Sequence, residues 1–380
     1  MENSSSAAPV LDAERQADAR RYARRQRWFS LLDYLLAGIM LLVLLASGLL
    51  RHLAGFLDLP QALAAVVYFL CLMLGYALIT APLDYYTGYI LPWRYGLSRQ
   101  TPADWLADHL KAGALGLLLG SALVAVAYWL LSATPRLWWL WGWVAVIIIS
   151  LVLSVLAPIA ILPLFFKTSP LPEGELKERL QKLAQEAGIR IGGIYTAEFS
   201  AKSTTANAAL MGAGKTRRII LSDTLLDKYA PAEISVIISH EMGHQRHRDM
   251  LRLFVFQSAV LLISFYLSSL LFRALLDSFG FSGVSDPATL PLLILIFGLM
   301  GLVMTPLTAS FTRLVESQAD RFALELTGDP DAFVNSMARL TGQNLSDASP
   351  PRWVEILLDD HPSYRQRVAM AQKYKAKQST

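Results

Sequence analysis

Five consecutive residues carry the clearest chemistry in this chain of 380 residues: His240, Glu241, Met242, Gly243 and His244. Two histidines four positions apart on a helix project from the same face, and neutral imidazole is a common zinc ligand. Glu241 is too close in sequence to ligate easily, but it is well placed to accept a proton from a water molecule that a metal activates. The pentad therefore predicts a metal site with His240 and His244 as ligands and Glu241 as general base.

A hydrolytic zinc site of this kind needs a third protein ligand, and two histidines with one carboxylate leave a coordination position open. The best candidate is Glu316, in the segment Glu316-Ser317-Gln318-Ala319-Asp320. Glu316 and Asp320 lie one helical turn apart, so one can ligate while the other accepts the free ring N–H of a ligand histidine. The competing interpretation is an ordinary helix surface on which these carboxylates pair with Arg313 and Arg321. The spacing alone leaves both interpretations open.

The pentad needs a helix to position it, and the sequence predicts one from Pro231 onward, because proline suits the first turn and Glu233 lies near the positive end of the helix dipole. Upstream, the pattern from Pro172 to Ala187 indicates an amphipathic helix that ends at Gly188, and Ile194–Thr196 is a strand candidate. The apolar stretches Ala206–Met211 and Arg217–Leu221 flank a glycine-rich loop and predict a β-hairpin.

That loop ends in Gly214-Lys215-Thr216, as a phosphate-binding loop does. The full pattern needs glycine where Ala209 stands and a helix immediately after the loop. The β-branched residues that follow favour a strand instead. We therefore expect no nucleotide partner.

The composition places these elements beside a membrane. Apolar residues make up 54% of the chain, charged residues 17%, and the mean hydropathy is +0.40, whereas soluble domains have about 45–50% and about 25%. Six uncharged apolar runs are each near or above the length that crosses a bilayer as a helix: Tyr34–Leu50, Ala62–Thr80, Ala112–Leu131, Leu137–Phe166, Leu253–Phe272 and Leu290–Leu307. This pattern predicts an α-helical polytopic membrane protein with six transmembrane helices and excludes a soluble enzyme, a disordered chain and a disulfide scaffold. The single cysteine, Cys71, permits no intrachain disulfide.

Basic residues indicate how the chain is oriented. Many lie before the first apolar run and between the second and third runs. Each connection on the opposite side of the membrane holds only one basic residue. The two groups are Arg20, Arg21, Arg24, Arg25, Arg27, Arg94, Arg99 and Lys111 on one side and Arg51, Arg136 and Arg273 on the other. The asymmetry predicts that both termini and the active site face the cytoplasm, with a bacterial inner membrane favoured. Because the charges follow the spans, we expect no nucleic-acid partner.

The resulting organisation has five parts. We expect a basic cytoplasmic arm over residues 1–30, four spans over 31–166, a cytoplasmic catalytic insert over 167–252, spans five and six over 253–310, and C-terminal cytoplasmic helices over 311–380. The fourth run is too long for one straight crossing, and we expect it to leave the membrane near Pro163.

The pentad, the segment from Glu316 to Asp320, and His361-Pro362 with Arg367 together resemble the membrane-embedded zinc metallopeptidases of the Ste24 (CAAX prenyl protease) and HtpX type, peptidase family M48. Further matching segments extend the resemblance over roughly Leu91 to Arg367: Tyr95–Thr101, Pro163–Phe165, Ser203, Asn207-Ala208 and Arg218–Leu226. The sequence departs from the family in having six spans where the eukaryotic prenyl proteases have seven, in Ser363, and in His247, which the family does not require.

The resemblance implies a cytoplasmic α+β zincin-like (gluzincin) domain with one zinc ion per chain. It implies His240, His244 and Glu316 as ligands, Glu241 as general base and Asp320 as the partner of a ligand histidine. Asn207 and Ala208 would lie on an edge strand that pairs with the substrate backbone. His361 and Arg367 would contact the substrate backbone or the developing oxyanion. The implied substrates are membrane-associated, lipidated or prenylated proteins, and the lipid bilayer is the other partner.

Three alternatives remain at this point. Within the family, the chain could be an HtpX-like quality-control protease of misfolded membrane proteins. A mononuclear iron site also uses two histidines and a carboxylate, but it does not need Glu241. A non-catalytic membrane metal-binding protein or transporter predicts charged or histidine residues inside the spans, and the six runs contain no Asp, Glu, Lys, Arg or His.

Overall fold

Helices make up most of the protein in the computed structural model, which describes residues 11–54, 59–212 and 217–378. Within these ranges six helices are long and apolar enough to cross a membrane, so the predicted number of spans is confirmed. The candidate spans are Ala13–Ser47 (α1), Gln61–Arg94, Pro102–Ala133 (α5), Trp138–Leu156 (α6), Asp249–Phe279 and Pro287–Thr327.

Helix α2, Leu49–Ala54, lies between α1 and the second span. The spans that are not single α-helices combine several elements. The second span consists of α3 (Gln61–Tyr85), a π-helical turn (Tyr86–Ile90) and α4 (Leu91–Arg94). The last two spans contain α11 (Asp249–Leu276) and α12 (Leu290–Thr327), with short 3-10 turns at Asp277–Phe279 and Pro287–Thr289.

The remaining helices and a four-stranded sheet lie outside the candidate spans. The helices are α7 (Leu162–Phe165), α8 (Glu175–Glu186), α9 (Asp223–Leu226), α10 (Pro231–Arg246), α13 (Pro330–Gln343), α14 (Arg352–Leu357) and α15 (Tyr364–Gln378). The strands are β1 (Thr168–Pro170), β2 (Gly193–Ala197), β3 (Ala208–Met211) and β4 (Arg218–Ser222).

Large apolar side chains are exposed on the outer faces of the spans, as in Leu74, Leu118 and Val303. The inner faces pack around buried Tyr128 and Phe272. Exposed leucines in such numbers would be costly in water but suit a surface that lipid surrounds. The span surfaces therefore agree with a membrane-embedded bundle.

The fourth span ends earlier than predicted. Its α-helix stops at Leu156, and a π-helical turn over Ala157–Ile161 leads into the four-residue helix α7. Prolines at positions 158 and 163 explain the irregularity, because proline has no backbone N–H and disturbs the regular hydrogen-bond ladder. The straight helix thus ends before Pro163, the residue near which we expected the chain to leave the membrane.

The predicted basic arm and the first span are one helix, because α1 runs without a break from Ala13 to Ser47. The first turns of α1 pack on the end of α13 and on the loop after it. Arg15 Nε donates to the Gly342 carbonyl at 3.1 Å, and Gln16 Nε2 donates to the Ser346 carbonyl at 3.3 Å. The described part of the arm is therefore attached to the C-terminal region.

The sheet has the strand order β1-β2-β4-β3, with β2 and β4 parallel and the two outer strands antiparallel to their neighbours. The predicted hairpin is confirmed as the antiparallel pair β3–β4, and the predicted strand Ile194–Thr196 lies in β2. Residues 213–216, which include the Gly214-Lys215-Thr216 segment, lie outside the described residues. Strand β3 forms one edge of the sheet.

The predicted amphipathic helix is α8, which begins at Glu175 rather than Pro172. Its apolar face buries Leu180 and Leu183 in the core beneath the sheet. The helix ends before Gly188, whose φ of +69° is a left-handed conformation that favours glycine.

Candidate active site

Helix α10 presents the histidine-containing pentad in its last turns. It begins at Pro231, as predicted, and Glu233 caps it by accepting the Ala230 N–H through Oε2 at 2.8 Å. Glu233 also pairs with Arg339 at 2.9 Å. The other faces of the helix bury Ile234 and Ile238 in the core. These contacts fix the direction of α10 and therefore the direction of the pentad.

Helix α12 lies directly against the pentad, at a distance that only a small residue permits. A Cβ atom added to Gly243 would lie 3.0 Å from the Ala319 Cα and 3.3 Å from the Ala319 Cβ. Ala319 itself is fully buried. The pair of small residues thus allows the two backbones to approach closely, and this approach brings Glu316 to the histidines.

The ligand atoms of His240, His244 and Glu316 all lie within 4.8 Å of one another. The Nε2 atoms of the two histidines are 3.2 Å apart, and they lie 3.3 Å and 3.4 Å from the two carboxylate oxygens of Glu316. No other group of three or more such side chains that could hold a metal occurs within the described ranges. Two imidazoles and one carboxylate form the donor set of a hydrolytic zinc site.

Each histidine is held from behind by a buried carboxylate. His240 Nδ1 lies 2.9 Å from Asp320 Oδ1, and His244 Nδ1 lies 3.1 Å from Asp249 Oδ2. A carboxylate that accepts the Nδ1–H leaves Nε2 unprotonated and free to ligate a metal. The residues present therefore fit a divalent metal, and zinc in particular.

Asp249 was missed by the sequence analysis. It lies at the first residue of α11, five positions after His244, and its side chain is only 1% exposed. Arg248 turns the chain between them in a left-handed conformation with φ of +56°. An acidic residue shortly after the pentad was the available signal, but the turn that aims it back at His244 could not be read from the sequence.

Two arginines balance the buried acids. Arg367 Nε lies 3.0 Å from Asp320 Oδ2, and its Nη2 lies 3.5 Å from Glu316 Oε2. Arg252 Nη1 donates to Asp249 at 2.7 Å and to Gln318 at 2.7 Å. The resemblance implies that Arg367 contacts the substrate backbone or the oxyanion. The structure places it against these carboxylates and also on the cavity wall.

The alternative pairing with Arg313 and Arg321 does not occur among the described residues. Arg313 donates instead to the backbone carbonyls of Ile356, at 3.0 Å, and Asp359. No ion pair of Arg321 with Glu316 or Asp320 is seen. The structure thus contradicts the interpretation of Glu316 and Asp320 as an ordinary helix surface.

The electrostatics of the pentad follow from its burial. Burial raises the pKa of Glu241, against the opposing effect of the neighbouring histidines. Burial alone would lower the pKa of His240, but hydrogen bonds to Asp320 and Glu316 outweigh it and raise that pKa to about 10. The neighbouring carboxylates thus favour positive charge at the two imidazoles, which suits a cation.

His361 lies on the open side of the site, with its side chain 56% exposed. Its Nδ1 pairs with Asp360 at 2.7 Å, and its Nε2 lies 3.3 Å from Glu316 Oε2. The hydrogen bond to Asp360 raises the pKa of His361. His247, by contrast, packs its ring edge against Phe322 and is not part of the ligand group.

A cavity of about 1710 Å³ joins the site to the membrane region. Its lining includes Asn207, Ala208, Glu241 and His361. It continues past α1 and α3, where it is lined by acidic residues that flank the apolar runs, Asp33 and Asp84. The cavity therefore places the site beside the membrane segments, as the composition predicts.

A bundle of apolar spans, a buried two-histidine, one-carboxylate site and an adjoining edge strand define a membrane metallopeptidase. Comparison with known proteins agrees. Residues 170–375 match the family model of peptidase family M48, and residues 3–167 match that of the CAAX prenyl protease N-terminal segment with five membrane helices. The chain therefore belongs to peptidase family M48, and it is a Ste24-like membrane metallopeptidase.

Relatives cover most of the chain. An uncharacterized metalloprotease of Bacillus subtilis, YhfN, is 31% identical over 96% of this chain and 87% of its own length. A probable CAAX prenyl protease 1 of Schizosaccharomyces pombe is 28% identical over 89% and 75%. The crystal structure of Ste24p from S. mikatae has the same fold, with a TM-score of 0.83, 23% identity and coverage of 97% of this chain and 92% of that one.

The span count differs from the family description. Between residues 11 and 167, outside the gap at 55–58, the structure has four candidate spans, one fewer than the five helices of the matched segment. This agrees with the expected departure of six spans in total.

Proposed function

We propose that this chain is a zinc endopeptidase that hydrolyses peptide bonds of membrane-associated or prenylated, CAAX-type proteins. The observation that carries the proposal is the convergence of His240, His244 and Glu316 beside Glu241 on a cavity that reaches between the spans. The relatives described as CAAX prenyl proteases support the substrate class.

His240, His244 and Glu316 are the proposed ligands of one zinc ion per chain. Bound zinc would supply a Lewis acid that lowers the pKa of water and polarises the scissile carbonyl. Asp320 and Asp249 hold the two imidazoles in the tautomer that ligates through Nε2. Arg367 and Arg252 hold those carboxylates in place.

Glu241 is the proposed general base. It accepts a proton from the attacking water and passes it to the leaving amine nitrogen, and its raised pKa brings it nearer the operating pH, where such transfer is most efficient. His361 faces the same cavity with an exposed ring and is the proposed donor to the developing oxyanion. Arg367, which contacts Glu316, supports the same region of charge.

Asn207 and Ala208 are the proposed substrate contacts. Ala208 is the first residue of the edge strand β3, and Asn207 precedes it on the cavity wall. A peptide that adds to this edge as a further strand would be held extended across the metal ligands.

The topology is part of the proposal. The basic loops favour cytoplasmic termini and a cytoplasmic site, with a bacterial inner membrane as the location. The proposed parts are the arm (1–30), the first four spans (31–166), the catalytic insert (167–252), spans five and six (253–310) and the C-terminal helices (311–380).

The test is to incubate the purified, zinc-loaded protein with a prenylated CAAX peptide and its non-prenylated counterpart and to locate the cuts by mass spectrometry. We expect cleavage of the prenylated peptide that Glu241→Gln abolishes. Equal cleavage of both peptides and of unfolded membrane-protein fragments would favour the quality-control alternative. Absence of any cut by protein that holds one equivalent of zinc would contradict the proposal.

A further inference from the structure

The exposed edge of β3 has a defined set of backbone groups that a partner strand can use. In an antiparallel pair, residues alternate between those bonded to the neighbouring strand and those whose N–H and C=O point the other way. Asn207 is bonded toward β4, because its carbonyl accepts the Ser222 N–H at 2.9 Å. The register Ala208↔Leu221 to Met211↔Arg218 then turns the backbone groups of Ala208 and Leu210 to the open edge.

By the same alternation, Ala206 also presents its backbone to the open edge, but its groups are already bonded. Asn344 Oδ1 accepts the Ala206 N–H at 2.9 Å, and Asn344 Nδ2 donates to the Ala206 carbonyl at 3.0 Å. One side-chain amide thus makes both hydrogen bonds that a residue of an added strand would make. It occupies the next pairing position after Ala208.

Asn344 is held firmly where it makes these bonds. It follows α13, and the next residue, Leu345, is buried in a left-handed conformation with φ of +52°. Helix α1 holds the loop through Gln16 and the end of α13 through Arg15, and Gln343, the last residue of α13, donates to the Thr204 carbonyl at 2.7 Å. A loop fixed at so many points does not swing aside readily.

We propose that Asn344 is a specificity-determining residue that ends strand pairing between the substrate and β3 at Ala206. The inference rests on the proposed function, because it assumes that a peptide adds to this edge. A substrate then gains paired backbone contacts opposite Ala208 and Leu210 and none beyond, since a strand that continued past Ala208 would collide with the Asn344 amide.

The direction in which the substrate runs along β3 decides on which side of the cleaved bond Asn344 limits strand pairing. Antiparallel pairing is slightly more stable per residue than parallel pairing, so the substrate runs opposite to β3. Its chain then passes Leu210 first, Ala208 next and Ala206 last. The cavity wall includes Ala206, Asn207 and Ala208 together with Glu241, which places the reacting bond at this end of the strand. Asn344 therefore limits the residues on the C-terminal side of the cut.

The substrate class that follows is a peptide extended on the N-terminal side of the cut and either short or bent away from the sheet on the C-terminal side. Long segments that stay extended on both sides gain nothing from their C-terminal part. This selects for cleavage near a free C-terminus or at a turn.

The test is a binding series on the zinc-loaded Glu241→Gln protein, which does not consume its ligand. Fluorescent peptides share a central sequence and are lengthened by two residues on either side, and fluorescence anisotropy gives each Kd. The reference point is the bond that the unmodified chain cuts or, if it cuts none, the prenylated cysteine. We expect N-terminal lengthening to lower the Kd about tenfold, as two further hydrogen bonds would. We expect C-terminal lengthening to lower the Kd by less than about twofold.

Adding Asn344→Ala to this background exposes the Ala206 groups, so we expect C-terminal lengthening to tighten binding about five- to tenfold. Gln343→Ala is the matched control: it removes the neighbouring amide from the same loop but leaves Ala206 paired, and we expect the original length pattern. Asn344→Asp keeps the hydrogen-bond acceptor and loses the donor, so C-terminal lengthening should tighten binding by an intermediate factor. This variant replaces Asn344→Ala in the test if the alanine variant unfolds.

The inference is overturned if Asn344→Ala changes the Kd of every peptide by the same factor, which a purely structural role predicts. It is also overturned if C-terminal lengthening already tightens binding in the Asn344 protein, or if the gain in the variant appears on the N-terminal side. Cleavage by the unmodified chain is measured separately and tests only the proposed function.

Discussion

Two parts of the site are built on opposite principles. The ligand wall, behind the histidines, is buried: the side chains of Asp320 and Asp249 are 0% and 1% exposed, and each is paired with both a histidine and an arginine. The open wall, on the cavity, is exposed: His361 and Asp360 are 56% and 67% exposed, and β3 forms a sheet edge. The comparison indicates that packing fixes the positions of the ligand side chains before a substrate binds. The groups proposed to recognise the substrate stay exposed until it binds.

Burial explains the difference. A buried carboxylate without partners costs several kcal/mol, so every acid of the ligand wall must have a cation or donor near it. This requirement produces the chains His240–Asp320–Arg367 and His244–Asp249–Arg252. Water can solvate the open wall, so His361 and its partner Asp360 need no such chain.

The largest expected effect separates proton transfer from metal binding. Glu241→Gln should lower kcat by about 10³- to 10⁴-fold, because the amide cannot accept the proton, while bound zinc stays near one equivalent. Peptide cleavage and metal analysis on the same sample give both values. Glu325→Gln, on the exposed face of α12, is the matched control. A Glu241→Gln variant that cleaves at the unmodified rate would refute the mechanism.

The next effect tests the open wall. His361→Ala should lower kcat by about 10²- to 10³-fold, as loss of an oxyanion donor does, and it should leave the zinc content unchanged. His52→Ala, which removes an exposed histidine on α2, is the control. If His361→Ala loses its zinc, the division between the two walls is wrong.

The ligand wall should respond in the opposite way. Asp320→Asn and Asp249→Asn should each weaken zinc binding by about 10- to 100-fold, because the amide no longer holds the imidazole in its ligating tautomer. Competition with a chelator measures the affinity, and excess zinc should restore much of the activity. Asp331→Asn, whose ion pair with Lys375 is exposed, is the control. An unchanged zinc affinity in Asp249→Asn would mean that Asp249 does not support His244.

Local patterns made much of this structure predictable. The pentad on a helix from Pro231, the six spans and the β3–β4 hairpin all follow from spacing or hydropathy within one segment. The predicted bounds of the spans were less accurate than their number, because a helix can continue beyond the bilayer. The third span illustrates this: its apolar run starts at Ala112, but α5 begins at Pro102 with Thr101 as its cap.

Other features depended on how segments cross, and no single segment encodes that. Asp249 reaches His244 only because Arg248 adopts a left-handed conformation. Asn344 reaches Ala206 across 138 positions of sequence. Arg367 reaches Asp320 because α15 packs against α12. The roles proposed for these residues await the experiments above.

The smallest expected effect tests the contact that brings the ligand wall together. Alanine in place of glycine inside a helix is normally stabilising, by about 0.5–1 kcal/mol. At Gly243 the new methyl group would meet Ala319 backbone at 3.0 Å, so α10 and α12 must separate slightly, and crowding of this kind typically costs about 1–3 kcal/mol. Gly243→Ala should therefore lower the melting temperature and weaken zinc binding a few-fold, since Glu316 moves with α12. Gly298→Ala, in the same helix as Ala319 with no atom within 4 Å of its added Cβ, should do neither. Equal behaviour of the two variants would show that the ligand wall tolerates displacement, and its geometry would then be set by the metal rather than by the packing of the two helices.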